Sequence, residues 1–159
     1  MFRTDHVPSR DLPYVGLLKA VLGFVDTTKH TYSDLSDEIN LNTGGITISV
    51  SSYADSRKQG AFTGIFTASA RVLCEKLDFG FSAIAEILLD SILDDEKRLG
   101  EIVAETKSKS QMRLNQAAHS AAVMRASSYF SAESAFDDCT GGIGFYQFLE
   151  ETAKHFEEK

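Results

Sequence analysis

Residues Ile46-Thr47-Ile48-Ser49-Val50-Ser51 alternate strictly between apolar and polar side chains. That is the pattern of a strand with one face in a core and the other toward water. A second run, Phe62 to Ala68, returns after a polar loop from Ala54 to Gly60, so the two read as an antiparallel hairpin with a longer loop. Gly64 inside the second run marks a bulge or a close backbone approach. Two strands cannot shield their own faces, so they must join a larger sheet with helices packed on it. The fold class expected is α+β, an antiparallel-rich sheet packed against helices.

The flanking segments change to helical period. Asp11 is a candidate cap with Pro13 in the first turn, where a missing N–H costs nothing. Val15, Leu17, Leu18, Val21, Leu22 and Val25 then recur at helical spacing, and Gly23 weakens the end. After a turn around Asp26 to Lys29, Thr31 or Ser33 caps a short second helix bearing Leu35 and Ile39. Asn42-Thr43-Gly44-Gly45 stops it, because glycine supplies positive φ cheaply. Beyond Cys74 another helix carries Phe79, Ala83, Ile84, Ile87 and Leu88 and ends near Ser91. Asp94 or Asp95 caps the next, whose stripe runs through Leu99, Ile102, Val103, Thr106, Ser110, Leu114, Ala117, Ala121 and Met124 to about Phe130. Unbroken it would be about 50 Å long, so a bend is expected between Asn115 and Ser120. Gly141-Gly142-Ile143-Gly144 reads as a loop before a short amphipathic helix, Phe145 to Phe156. The order expected is helix, helix, strand, strand, helix, long helix, short helix, in a single domain over residues 1–159.

Charge and cysteine usage narrow the function classes. The 23 acidic residues outnumber the 16 Lys and Arg, a net charge of -7 that argues against coating a phosphate backbone. No window holds the run of about 18 apolar residues a membrane span needs. The opening Met1-Phe2-Arg3-Thr4-Asp5-His6 lacks the cationic-then-apolar order of a signal peptide, so a cytoplasmic location is expected. Cys74 and Cys139 offer neither a disulfide framework nor zinc-ligand spacing; buried inert thiols or one long-range disulfide are the readings left. No two of His6, His30, His119 and His155 fall three, four or five apart, so no helix turn pairs histidines for a metal.

No self-sufficient catalytic set appears. Gly-x-Ser-x-Gly is absent. Thr43-Gly44-Gly45-Ile46 and Thr140-Gly141-Gly142-Ile143 look alike, yet neither continues into the Gly-Lys-Ser/Thr of a phosphate-cradling loop. His119 lies among Ala117, Ala118, Ala121 and Ala122; such small residues let another backbone come close, so His119 is expected to bond a carbonyl there rather than act in catalysis. Asp94-Asp95-Glu96 opens a helix, where carboxylates suit the macrodipole better than a metal. Glu150, Glu151, Glu157 and Glu158 read as a solvated helix face. Tyr14, Tyr53, Tyr129 and Tyr146 each carry a phenol with no base placed beside it. The catalytic, cofactor and metal residue sets expected for this chain are therefore all none.

One family accounts for the order of elements. Leu12-Pro13-Tyr14-Val15-Gly16-Leu17-Leu18, Leu22-Gly23, Thr31-Tyr32-Ser33-Asp34-Leu35, Ile39-Asn40 and Thr43-Gly44-Gly45-Ile46 resemble the pitrilysin/insulinase zinc metallopeptidases, and most closely the presequence-protease branch. Asp95 to Leu99, Lys107-Ser108-Lys109, His119-Ser120-Ala121-Ala122, Arg125-Ala126 and Gly142 to Leu149 are similar to the same branch. Where that branch tends to have Gly before the histidine, this chain has Ala118.

The resemblance implies a protein of four related α/β domains, whose two hinged halves close around a peptide-degrading chamber. Zinc is held in the first domain by His-x-x-Glu-His, and the fourth lends an Arg and a Tyr to substrate binding. This chain resembles the third domain, which carries neither set, and no His-x-x-Glu-His occurs in it. The implied parent is a zinc metalloendopeptidase; this chain alone is expected to be inactive and free of cofactor. Its expected partners are the remaining domains of the parent, with peptide substrate in the shared chamber. The family places a strand just before Pro8, where only Met1 to Val7 stands, so the chain is expected to be a fragment that lacks that strand's body and tends to self-associate. The competing expectation is a free-standing module that binds proteins or peptides along an open sheet edge.

Overall fold

The computed structural model describes residues 1–157. The expected hairpin forms its centre: β2, Ile46–Ala54, pairs with β3, Phe62–Ala70, antiparallel from Ile46 opposite Ala70 to Ala54 opposite Phe62. A two-residue strand, β1, Phe2–Arg3, pairs with the far side of β3, giving the order β1-β3-β2. The Thr4 N–H extends that pairing to the Gly64 carbonyl at 2.9 Å. The strand expected before Pro8 is thus represented by a short one, and β3 beyond it has no neighbour among the described residues. Asp55 N–H bonds the Ala61 carbonyl and Arg71 N–H bonds that of Gly45, so the odd-numbered residues of β2 bond toward β3. The backbone groups of Ile46, Ile48, Val50, Ser52 and Ala54 consequently point to the outer edge.

Side-chain alternation assigns the faces. Ile46, Ile48, Val50 and Phe66 meet Leu22, Leu35 and Ile87 in one core cluster. These come from α1, Leu12–Val21, and the residue after it, from α2, Tyr32–Asn42, and from α3, Leu77–Leu89. Thr47, Ser49, Ser51, Thr67 and Ser69 line the opposite face. Gly64 is a close approach: a Cβ there would stand 2.7 Å from the Phe136 ring and also against the Thr4 hydroxyl.

The long helical stripe breaks where a bend was expected. α4, Glu96–Gln116, ends at Ala117 and α5, Ala118–Ser127, starts immediately after. Asp95, not Asp94, caps α4 by accepting from the Arg98 N–H at 3.0 Å. Thr31, not Ser33, caps α2 by accepting from the Asp34 N–H at 3.2 Å. Asp11 occupies the position before α1 without a side-chain cap. Gly23 and Gly45 adopt φ of 86° and 105°, as their stop roles require.

Two expectations need correcting. A further helix, α6, Ala132–Gly141, stands where no element was read; Ser131 caps it and Phe136 anchors it. The expected glycine loop is instead a one-residue joint, because α7, Ile143–Glu157, begins directly after Gly142. α7 lays Phe145, Leu149 and Ala153 against Val103 of α4 in a second core cluster. The acidic face expected on α7 holds for Glu151, which is exposed; the Glu157 side chain and Glu158 lie outside the described residues.

Candidate functional site

Three polar clusters tie the helices together. In the first, Glu86 of α3 is 8% exposed and takes a bond from the Thr27 hydroxyl at 2.5 Å and from His30 Nδ1 at 2.8 Å. Thr27 in turn accepts from the His30 N–H at 2.9 Å. Burial pushes the Glu86 carboxyl up, but the bonds from Thr27 and His30 and the charges of His30 and Lys29 outweigh it, and the net shift is downward. The bond to Glu86 raises His30, against partial burial, with help from the charges of Glu86, Glu38 and Asp34. Beside them Lys29 Nζ meets Asp90 at 2.7 Å. The cluster pins the turn before α2 onto α3.

In the second, Asp138 of α6 is 1% exposed. Its Oδ2 accepts from Arg125 Nη1 at 2.6 Å and from the Gly144 N–H at 3.2 Å, so one carboxylate oxygen joins α5, α6 and the first turn of α7. Its Oδ1 is buried without a hydrogen-bond partner, 2.6 Å from where a Gly142 Cβ would be. Glycine at the joint is therefore a packing requirement of this carboxylate. In the third, the last carbonyls of α6 are taken by cations: Lys19 Nζ donates to Thr140 at 3.3 Å and Arg113 Nη2 to Gly141 at 2.6 Å.

None of these is a nucleophile–base pair exposed to a substrate. His6, His119 and His155 are exposed and on separate elements. Ala118 and Ala122 are exposed too, so the close contact expected around His119 does not form: α5 turns that side outward. Cys74 is an exposed free thiol, contrary to the buried reading, and Cys139 is free and half-buried. Burial, then the Asp138 charge, pushes the Cys139 thiol up, which keeps it unreactive. A base does lie near one phenol: Tyr146 Oη is 3.4 Å from Glu150 Oε1. Burial and that carboxylate both raise the Tyr146 hydroxyl, which disfavours its ionised form.

Among the described residues no group of three or more His, Cys, Asp or Glu side chains is placed to hold a metal ion. The donors present do not fit a zinc site, which needs three protein ligands converging on one point. No helix among the described residues is long and apolar enough to cross a membrane.

The surface offers docking features instead. Tyr14, Leu17, Leu18, Val21, Leu93 and Leu99 line an almost wholly apolar groove of about 330 Å³. Tyr14 is 57% and Leu93 47% exposed. The second feature is the outer edge of β2, nine residues without a charge or a proline.

The family described as peptidase-associated, of subfamily 16C of the metallopeptidases, matches residues 1–151. The chain belongs to that family. As a peptidase-associated domain of this subfamily it is 32% identical over 148 residues to protein HypA of Clostridium perfringens, covering 93% of this chain and 15% of that protein. It is 29% identical over 155 residues to the mitochondrial presequence protease of Yarrowia lipolytica, covering 98% of this chain and 16% of that protein. An uncharacterized protein of Borreliella burgdorferi is 27% identical over 147 residues, covering 92% and 15%. The chain therefore spans about one sixth of the length of these relatives. The resemblance to the presequence-protease branch of the pitrilysin/insulinase metallopeptidases is borne out by these matches, and the peptidase-associated domain seen here is a non-catalytic one of that group.

Proposed function

We propose that this domain is a wall and scaffold within a larger, multidomain zinc-dependent peptidase that degrades peptides in a closed chamber, in the place of its third domain. The observation that carries the reading is the family match over nearly the whole chain, aligned to only 15–16% of relatives that include a presequence protease. The polar clusters support it, since they are spent on holding helices together. The apolar groove by Tyr14 and Leu93 supports it as well, because exposed apolar patches of this kind mark contacts with other protein surfaces. In this reading the zinc, the general base and the substrate-binding Arg and Tyr come from the remaining domains, and the setting is cytoplasmic.

The test is exchange. Replacing the matching segment of a longer relative with this chain should preserve its peptide cleavage, while this chain alone with added zinc should leave an unstructured peptide intact. Cleavage by the isolated chain, or one tightly held zinc per chain, would overturn the assignment.

The unguarded β2 edge favours a second reading for the chain on its own, a module that pairs with another strand. Five outward N–H and C=O pairs from Ile46 to Ala54 are the observation behind it.

A further inference from the structure

The stripe on α4 that packs toward the core is interrupted by Thr106 and Ser110. Together with Lys109 and Arg113 they stand at spacings of three, four and seven along one face of that helix. Across from them on α1 is Lys19, and Phe145 of α7 forms an apolar wall, so these residues enclose a pocket of about 240 Å³.

Ser110 is only 6% exposed, yet its hydroxyl has no hydrogen-bond partner among the described residues. This departs from the habit of the other helical hydroxyls. Ser108, Thr140 and Thr152 each donate to the carbonyl four residues back, at 3.0, 2.9 and 2.8 Å. Thr106 likewise makes no such bond. Two hydroxyls are therefore left free to act at the pocket.

The charges point the same way. In a chain of net charge -7, Lys19 and Arg113 are paired with no carboxylate among the described residues. Each spends one donor on the end of α6, which leaves Lys19 two and Arg113 four. Burial, then the Arg113 charge, lowers the Lys19 ammonium, the state of a cation without a counter-ion. Lys109 stands at the rim, its charge shared with Glu105 at 2.6 Å.

We propose that this pocket binds a phosphate-class tetrahedral oxyanion, held by Lys19 and Arg113 and hydrogen-bonded by the Ser110 and Thr106 hydroxyls. Planar guanidinium, ammonium and hydroxyl donors converging from two helices suit several oxygens on one centre. The anion is either inorganic phosphate or the phosphoryl group of a small molecule. The site lies apart from any peptide chemistry and does not depend on the proposed parent.

The test is calorimetric titration of the full chain, with melting curves, using inorganic phosphate, glycerol phosphate, and acetate or chloride at matched ionic strength. Saturable binding of inorganic phosphate, with a rise in Tm beyond that given by chloride, is expected. Tighter binding of glycerol phosphate assigns the phosphoryl group, and equal or weaker binding assigns the free ion; either supports the site. Ser110→Ala should weaken binding by about tenfold while leaving the phosphate-free Tm unchanged, and Lys19→Met should abolish it. Because Lys19 also meets the end of α6, circular dichroism confirms that this variant folds, and Ser110→Ala alone suffices if it does not. Equal effects of acetate, chloride and phosphate, or undiminished binding by Ser110→Ala, would overturn the proposal.

Discussion

Arg125 Nη1 lies 2.6 Å from Asp138 Oδ2, and that bond crosses from α5 to α6 at the joint where α7 begins. The Asp138 side chain is 2% exposed, so its charge has almost no water to turn to if the arginine is lost. Arg125→Met should cost roughly 3 kcal/mol, the penalty of an unpaired buried charge. Asp138→Asn, which removes the charge and keeps the shape, should cost less. Urea titrations of both variants check the order; equal losses would mean that the arginine acts through packing alone.

The glycine at position 64 gives a steric prediction. Gly64→Ala should destabilise by about 1–3 kcal/mol, since its Cβ would press on the Phe136 ring and the Thr4 hydroxyl. Adding Phe136→Leu should recover part of that loss. A melting midpoint unmoved by Gly64→Ala would contradict the close packing of α6 on β3.

His30 and Glu86 set a pH dependence. His30 is raised in the folded state, so its contribution is complete below its ordinary value of about 6.5 and is lost as pH climbs through the folded value. Glu86 is lowered, so its contribution is present above its ordinary range of about 4.3–4.5 and is lost as pH falls through the folded value. The pair thus stabilises most between those limits, in mildly acidic solution. His30→Gln should flatten the decline in stability between pH 6 and 8 (roughly the span over which a histidine titrates). Unchanged pH profiles in wild type and variant would show that the bond does not govern it.

Ala118 and Ala122 point outward, so Ala118→Leu and Ala122→Leu should each change stability by no more than about 0.5 kcal/mol. A loss of several times that, measured by thermal melts, would put a neighbour against this side of α5.

Self-association should run through β2. Pairing about a two-fold axis at Val50 sets Ile46 opposite Ala54 of a second copy and keeps each face of the sheet matched. Ser49→Lys with Ser51→Lys places like charges across that axis and should weaken any dimer by about tenfold. Amide exchange gives a sharper reading. Protection at Ile48, Val50 and Ser52 should grow with concentration, while Ser49 and Ser51, already bonded to β3, stay unchanged. Concentration-dependent mass without that pattern would place the contact elsewhere.

The sequence made the hairpin, the stop glycines and the break near Ala117 legible, because each rests on a local pattern. Alternation in Ile46 to Ser51 and the small residues after Asn115 need no distant partner to be read. α6 was hidden because Phe136 is its one large apolar side chain, so its periodicity is faint, and the following glycines suggest a loop. Their true role follows from Asp138, whose burial depends on three helices meeting. The contact expected at His119 failed for the converse reason: a row of alanines permits close packing but does not compel it. Thr106 and Ser110 were visible as members of the α4 stripe, but that their hydroxyls lack the usual partner shows only once the helices are assembled.

The short strand β1 also orders events in time. β2 and β3 are neighbours along the chain and close their turn within microseconds, on the scale of about 1–10 μs for hairpins. Phe2 cannot find Phe66 until everything between them has been gathered in, and only two residues reward that long closure. The amino terminus should accordingly dock last and release first, well before the sheet it borders gives way.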